Sequence, residues 1–469
     1  MTQGKILTKQ VLLLFAFLAV QSLVMAQKKY ALTVDSAVTL AFNNVAELKN
    51  LRIDSLLQYQ KNREITGSAL PQINGNISGQ HFFDIPVTVL PDFLSPSIYG
   101  VLSNEGVKDG NGNAIQMPSS FGTIPAQFGV PWTMSAGITV SQLLFQPDVF
   151  VGLKARSTSM KYVSGNIQVM KDSVKSNVYR SYYAVVIAQK RLNFLTDGLK
   201  RLEKLYADQQ VMFKNGFIEK LDLDKTEVSL NNLKTTEQQV KNGVGLGYAA
   251  LKFALGLSQK DELQLLDTLS SETIKKGVLD IDNAAYEDRP EIRLLNSVKE
   301  LQELDVQRNK LQYIPTVSAF WNFSKNAQRQ QFDFFGKGDW FSTNLVGVNI
   351  SLPIWNGGQR EAKIKQAKLN LDKTNNTIGQ VKQVIDLQKE IAKVTLINTL
   401  SSLDIQERNT ALAERVYNLT KKKYEQGLGS SFEVLQVEQS LQDAQNNYFQ
   451  SLYDAIVAKV GLLKATGKL

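Results

Sequence analysis

The chain has 469 residues, 43% of them hydrophobic and 21% charged, a balance that supplies a core or long helix seams and excludes a disordered chain. It has no Cys and a single His, His81, which excludes disulfide staples, thiol catalysis and thiolate metal sites and leaves a His-based triad or metal centre with almost nothing to build on. The formal charge of +9 is not gathered in one tail or face, so solvated helix faces account for it and no nucleic-acid partner is expected.

In chain order, residues 1–26 read as an export signal. Lys5 and Lys9 supply the basic start, Val11 to Val20 the apolar run, and Val24-Met25-Ala26 the cleavage site. The run is shorter than the roughly 20 residues a membrane-spanning helix needs. Its removal takes the formal charge from +9 to +7. No later apolar stretch is long enough for such a helix, so any membrane embedding must use strands.

Asp35 to Ser68 reads as helix, with Ala37, Leu40, Ala41, Leu48, Leu51 and Leu56 on one side and Pro71 stopping it. Strict alternation follows. Ile73, Gly75, Ile77 and Gly79 interleave with Gln72, Asn74, Asn76 and Ser78, and Met134, Ala136, Ile138 and Val140 interleave with Ser135, Gly137, Thr139 and Ser141. Period two over about ten residues is the signature of an outer-membrane strand. Residues 83–131 between the two runs, rich in Pro, Gly, Asn and Ser, read as a surface loop. Asp148 to Met212 has no Pro. A 65-residue helix there would reach about 98 Å, with a seam of Leu192, Leu195, Leu199, Leu202 and Tyr206. Gly216 turns the chain back into a helix seamed by Leu223, Leu230, Leu233, Val240 and Val244. Asn242-Gly243-Val244-Gly245-Leu246-Gly247 follows a helix rather than a strand, so it is a helix-terminal break or small-residue packing, not a nucleotide loop. Asp222 and Asp224, just after the turn, are read as capping and solvating acids rather than an acid–base pair.

The chain then says the same thing again. Phe213 to Leu230 aligns without gaps on Tyr424 to Leu441 at an offset of 211, matching Gly216 to Gly427, Asp222 to Glu433 and Glu227 to Glu438. Glu287 to Gln312 is the second repeat's first helix, and Pro315 stops it. Val317, Ala319, Trp321 and Phe323 alternate with Ser318, Asn322 and Ser324, with Phe320 the one exception. Val346, Val348, Ile350, Leu352 and Ile354 alternate with Gly347, Asn349, Ser351 and Pro353. Gln359 to Gln426 is a second long helix, and Ser430 with Glu433 fits a capping box for its return. Trp321, Trp340 and Trp355 fit either a membrane-interface belt or ordinary strand packing, and His81 fits a rim or lumen position.

The expected division is therefore a signal peptide over 1–26 and a first repeat over 27–257, with strands at about 72–82 and 133–145 and a tip at 215–221. A connecting segment over 258–286 follows, then a second repeat over 287–469, with strands at about 316–326 and 342–355 and a tip at 426–431. The fold class is an α+β membrane protein with an internal duplication. In hydrocarbon every backbone polar group needs a protein partner, so a sheet must close on itself. Four barrel strands per chain are too few, and several chains must share one barrel. Two would give eight strands and a filled interior, three would give twelve and an open lumen; strand count alone leaves both open.

The order of helix, strand pair, long helix, glycine tip and return helix, stated twice, resembles the outer-membrane factor (TolC) family of efflux channels. The resemblance rests on Pro353-Ile354-Trp355-Asn356-Gly357-Gly358 where the second strand pair meets its helix. It rests also on Phe213-x-x-Gly216 with Asp222, on Tyr424-x-x-Gly427 with Glu433, and on the closing run Tyr448 to Gly467. It implies a homotrimer with a 12-stranded trimeric β-barrel in outer-membrane lipid, continued by a long α-helical barrel in the periplasm. It implies passive export of substrates handed over by an inner-membrane transporter through a periplasmic adaptor (a membrane fusion protein). By carry-over, Gly216, Phe217, Gly427 and Leu428 are the tip residues that meet the adaptor. No enzyme activity, cofactor or metal is expected. The competing reading is a periplasmic or surface coiled-coil structural protein without channel activity.

Overall fold

The computed structural model describes residues 29–276 and 285–469. The expected signal peptide and part of the 258–286 segment lie outside them. In chain order the elements are β1 (Lys29–Leu32), α1 (Val34–Asn44), α2 (Ala46–Ser68), β2 (Gln72–His81), β3 (Val87–Pro91), α3 (Leu94–Asn104), β4 (Thr123–Gln127), β5 (Trp132–Phe145), α4 (Pro147–Lys214), α5 (Lys220–Ala254), β6 (Glu262–Leu265), α6 (Ser271–Lys275), α7 (Pro290–Leu311), β7 (Thr316–Arg329), β8 (Phe341–Ser351), α8 (Gln359–Glu425) and α9 (Ser431–Ala465). A short 3-10 turn, Tyr286–Asp288, precedes α7. The long helices match in length: α4 and α8 have 68 and 67 residues, and their return helices α5 and α9 have 35 each.

The chain divides into two compact units. The first takes in residues up to Gln60, Ala155–Asp305 and Gln366–Leu469. Its main core brings together Leu48, Tyr182, Leu251, Leu255, Leu403 and Leu452, all buried. Each buried Leu contributes on the order of 1.5–3 kcal/mol. The expected helix from Asp35 to Ser68 is two helices instead. Val45 is extended (φ −61°, ψ 128°) and ends α1, because Asn43-Asn44 are weak helix formers and Val45 is itself drawn into the core, 8% exposed. The parallel pair β1–β6 is tied to this core through long-range bonds. Asp267 Oδ2 accepts from the Val34 N–H at 2.6 Å. The buried Tyr182 hydroxyl donates to the Leu32 carbonyl at 2.8 Å and accepts from the Asp267 N–H at 3.2 Å; burial pushes its pKa up to about 12. The glycine-rich run at 242–247 does not break α5. Gly247 lies against Val185, whose Cγ2 would stand 3.1 Å from a Cβ placed there, while Gly243 and Gly245 face open space, so small-residue packing holds at Gly247 alone.

The second unit spans Lys61–Lys154 and Val306–Lys365. Its centre is a four-stranded antiparallel sheet in the order β2-β5-β7-β8. The stretch 83–131 is more than a loop: it holds the hairpin pair β3–β4 and the helix α3. Its turn-rich composition hid the short alternation of Val87, Thr88 and Val89.

Candidate functional site

Side chains alternate faces along a strand, so the sheet register decides what each face carries. Ile73 is paired with Val140, Ile77 with Ala136, Val140 with Trp321, Ile138 with Phe323, Trp321 with Val346, and Val317 with Ile350. These alternating apolar residues of the four strands therefore share one face, while Phe320, Leu345 and Phe341 fall on the other. Ile73, Ile77, Val346, Val348 and Ile350 are 61–77% exposed on the apolar face. The opposite face carries Gln72, Asn74, Thr139, Ser135, Asn322, Ser324 and Asn349, with Asn322 Nδ2 donating to Thr139 Oγ1 across strands at 2.8 Å. An apolar sheet face of this size left uncovered is the inverse of a soluble sheet packed on its own core. Among the described residues β2 and β8 each pair along one side only, leaving two rows of backbone groups open.

Aromatic side chains gather at one end of the apolar face. At the β2/β5 turn end, His81 stacks on Trp132 with centroids 4.0 Å apart, and Trp132 meets Phe332 edge-on at 5.1 Å. The β7–β8 connection folds back so that Phe334 and Ala327 are buried, with Trp340 6.4 Å from Phe334. Arg329 holds that connection, donating to the Asp339 carbonyl at 2.7 Å and the Asp333 carbonyl at 3.3 Å. At the other end Trp355 and Ile354 are 85% and 86% exposed. Trp321 lies within the apolar face and satisfies its indole N–H on Asn344 Oδ1 at 2.7 Å. Among the described residues no helix is long and apolar enough to cross a membrane, and no cluster of three His, Asp or Glu side chains is placed to hold a metal ion.

The helical unit has two tips of one design. At the end of α4, Gly216 (φ +77°) donates its N–H to the Phe213 carbonyl at 3.0 Å and Phe217 to the Met212 carbonyl at 2.9 Å. At the end of α8, Gly427 (φ +74°) donates to Tyr424 at 2.9 Å and Leu428 to Lys423 at 3.0 Å. This double bond pattern closes a helix on a left-handed residue, a backbone only Gly adopts at no steric cost. The motif throws the next side chain outward: Phe217 is 77% and Leu428 70% exposed. The tips differ at the return. Ser430 caps α9 by accepting from the Glu433 N–H at 3.2 Å, whereas Glu219 gives α5 no side-chain cap. Glu433 does not complete the capping box; it reaches Lys423 Nζ at 3.4 Å. Tyr424 and Met212, one from each repeat, meet through hydroxyl and sulfur at 3.8 Å.

Above the tips an ion pair joins the repeats, and spacing along the chain held no sign of it. Arg201 of α4 grips Glu438 of α9 with both nitrogens, Nη2 to Oε1 at 2.8 Å and Nε to Oε2 at 3.2 Å. Glu438 is buried. The guanidinium lies over the rings of Phe194 and Tyr417, 5.7 and 5.4 Å from their centroids. Burial works against the Arg201 charge, but the Glu438 carboxylate outweighs it and holds the pKa above its ordinary value.

Residues 286–468 match the family model described as outer membrane efflux protein. The outer membrane protein TolC of Vibrio cholerae is 20% identical over 346 residues, covering 72% of this chain and 77% of that one. The alkaline protease secretion protein AprF of Pseudomonas aeruginosa is 18% identical over 328 residues, covering 68% and 67%. Among solved structures, CusC superposes with a TM-score of 0.71 at 16% identity, covering 92% of this chain and 91% of that one. The Campylobacter jejuni CmeC outer membrane channel superposes with a TM-score of 0.69 at 18% identity, covering 93% and 85%.

Proposed function

Taking the chain as a member of the outer membrane efflux protein (TolC) family, we propose that it is the outer-membrane exit duct of a tripartite efflux or secretion system, conducting substrates passively from an inner-membrane pump and a periplasmic adaptor to the outside. The observation that carries this is the register-aligned sheet with an apolar face, an uncharged polar face and two open edges. Strands of 10, 14, 14 and 11 residues meet the roughly 9–11 residues a tilted strand needs to cross hydrocarbon. The aromatic cluster at the β2/β5 turn end and the exposed Trp355 past the end of β8 fit the interfacial girdles of such barrels. Open strand edges in lipid cost several kcal/mol per unpaired group, so copies join edge to edge. Three copies give twelve strands and a lumen wide enough for cargo, where two would fill it with side chains.

The long paired helices continue the duct as a helical barrel into the periplasm, and the division into a signal peptide, two repeats and a connecting segment is the chain's functional anatomy. The adaptor meets Gly216, Phe217, Gly427 and Leu428, a role supported by the matched backbone design of the tips and the outward apolar side chains. Proteins named for alkaline protease secretion and for toluene efflux are both among the relatives, so the layout serves more than one cargo class. Fractionation and planar-bilayer recording test the reading. The duct predicts outer-membrane recovery of a heat-resistant oligomer with stable conductance; a soluble, non-conducting monomer is the outcome for a coiled-coil structural protein and overturns it.

A further inference from the structure

The inference rests on the duct reading, and begins at Phe320, an apolar side chain of β7 that falls on the polar face. Phe320 is register-paired with Gly347 of β8. Its ring lies across the glycine backbone: a Cβ on residue 347 would stand 2.6 Å from Phe320 Cζ. Along β8 the same face carries Leu345, 42% exposed, and Phe341, 63% exposed. Covering a strand glycine with an aromatic is a known structural device. It accounts for Phe320 but not for Leu345 and Phe341, which cover no glycine in their own register pairs with Asn322 and Asn326.

The rest of that face sharpens the point. The side chains it presents from the four strands are Gln, Asn, Ser, Thr, Gly and these apolar residues, with Leu143 at one end. The strands' charged and titratable residues, His81, Lys325 and Arg329, all fall on the other face by register. A wall without charge neither attracts nor repels an ion beyond the cost of narrowing its water, and apolar and π surfaces bind ring and alkyl groups through area and ring geometry.

We propose that Phe320, Leu345 and Phe341 form an apolar track along an uncharged lumen wall, and that the cargo it serves is organic molecules with exposed ring or alkyl surface rather than hydrated ions. Each copy supplies one track, so a trimer has three, next to the edge where β8 meets a neighbour.

Single-channel recording of the full assembly in a planar bilayer tests this, with 2-naphthol as an uncharged ring probe and glucose as a polar one. The track predicts current blocks by 2-naphthol and none by glucose. Phe320→Ala shortens the block about 2- to 10-fold, the range of one lost aromatic contact, while the open-channel current stays near that of the parent; Phe320→Tyr retains the block. Leu345→Ser, which uncovers no glycine, shortens the block if Phe320→Ala fails to assemble. Equal blocks by both probes, or a naphthol block unchanged in Phe320→Ala or Leu345→Ser, overturn the track while leaving the duct intact. A protein that forms no conducting pore overturns the duct reading and the track with it.

Discussion

Glu438→Ala is the most informative single perturbation of the helical unit. Glu438 is 2% exposed and holds both ends of the Arg201 fork. Its removal leaves a guanidinium between Phe194 and Tyr417 without its hydrogen-bonded carboxylate. Stripping one partner from a buried pair costs about 3–5 kcal/mol. The Arg201 side chain is 26% exposed and recovers some hydration, so the lower end, about 3 kcal/mol, applies. At roughly 2 °C per kcal/mol for a unit of this size, the helical melt followed by circular dichroism in detergent should fall by about 6 °C. The double change Arg201→Met with Glu438→Leu tests the cause, because replacing a buried pair with apolar groups of similar size is close to neutral. It should restore most of the loss. A Glu438→Ala protein that melts with the parent, or a double variant as unstable as the single, would refute the claim that an uncompensated charge is what the structure avoids.

The tips separate folding from partner contact. Gly427→Ala forces an L side chain into the left-handed region, at about 1–2 kcal/mol, and should lower the melt. Leu428→Asp alters a side chain that is 70% exposed and should leave the melt alone while abolishing cross-linking to the adaptor; an unchanged cross-link removes Leu428 from that surface. Acid acts through Glu291. Burial would raise its pKa, but hydrogen bonds from Arg289 at 3.1 Å outweigh burial and hold it below its usual value. A depressed carboxyl stabilises above its unfolded pKa of roughly 4.3 and loses that contribution as pH falls through the lower folded value. Glu291→Gln should therefore lower stability at neutral pH and flatten its decline below about pH 4.5; a decline as steep as the parent's contradicts the assignment.

What could be read from the sequence follows the range of the interaction involved. The four strands declared themselves because one buried or lipid-facing side forces a period of two, and Gly216 and Gly427 because a left-handed helix end selects glycine locally. Val45 ends α1 through core packing as much as through its own propensity. The four-residue strands β1 and β6 are too short to show a period, and are held by Asp267 and Tyr182 from far along the chain. Arg201 and Glu438 lie 237 residues apart, and only folding brings two ordinary helix-surface charges into one buried pair. Phe320 stood out in the sequence as an exception; its reason, Gly347 across the register, belongs to the sheet.

The shared barrel is tested most directly at its seams. The chain has no Cys, so a Cys placed at Asn74 on β2 and another scanned along β8 through Asn349 and Ser351 report only the contacts they create. If β2 of one copy pairs with β8 of the next, oxidation at the matching register gives a denaturing-gel ladder of monomer, dimer and trimer that stops there. A ladder ending at dimer, or monomer alone at every register, contradicts a sheet closed by three chains.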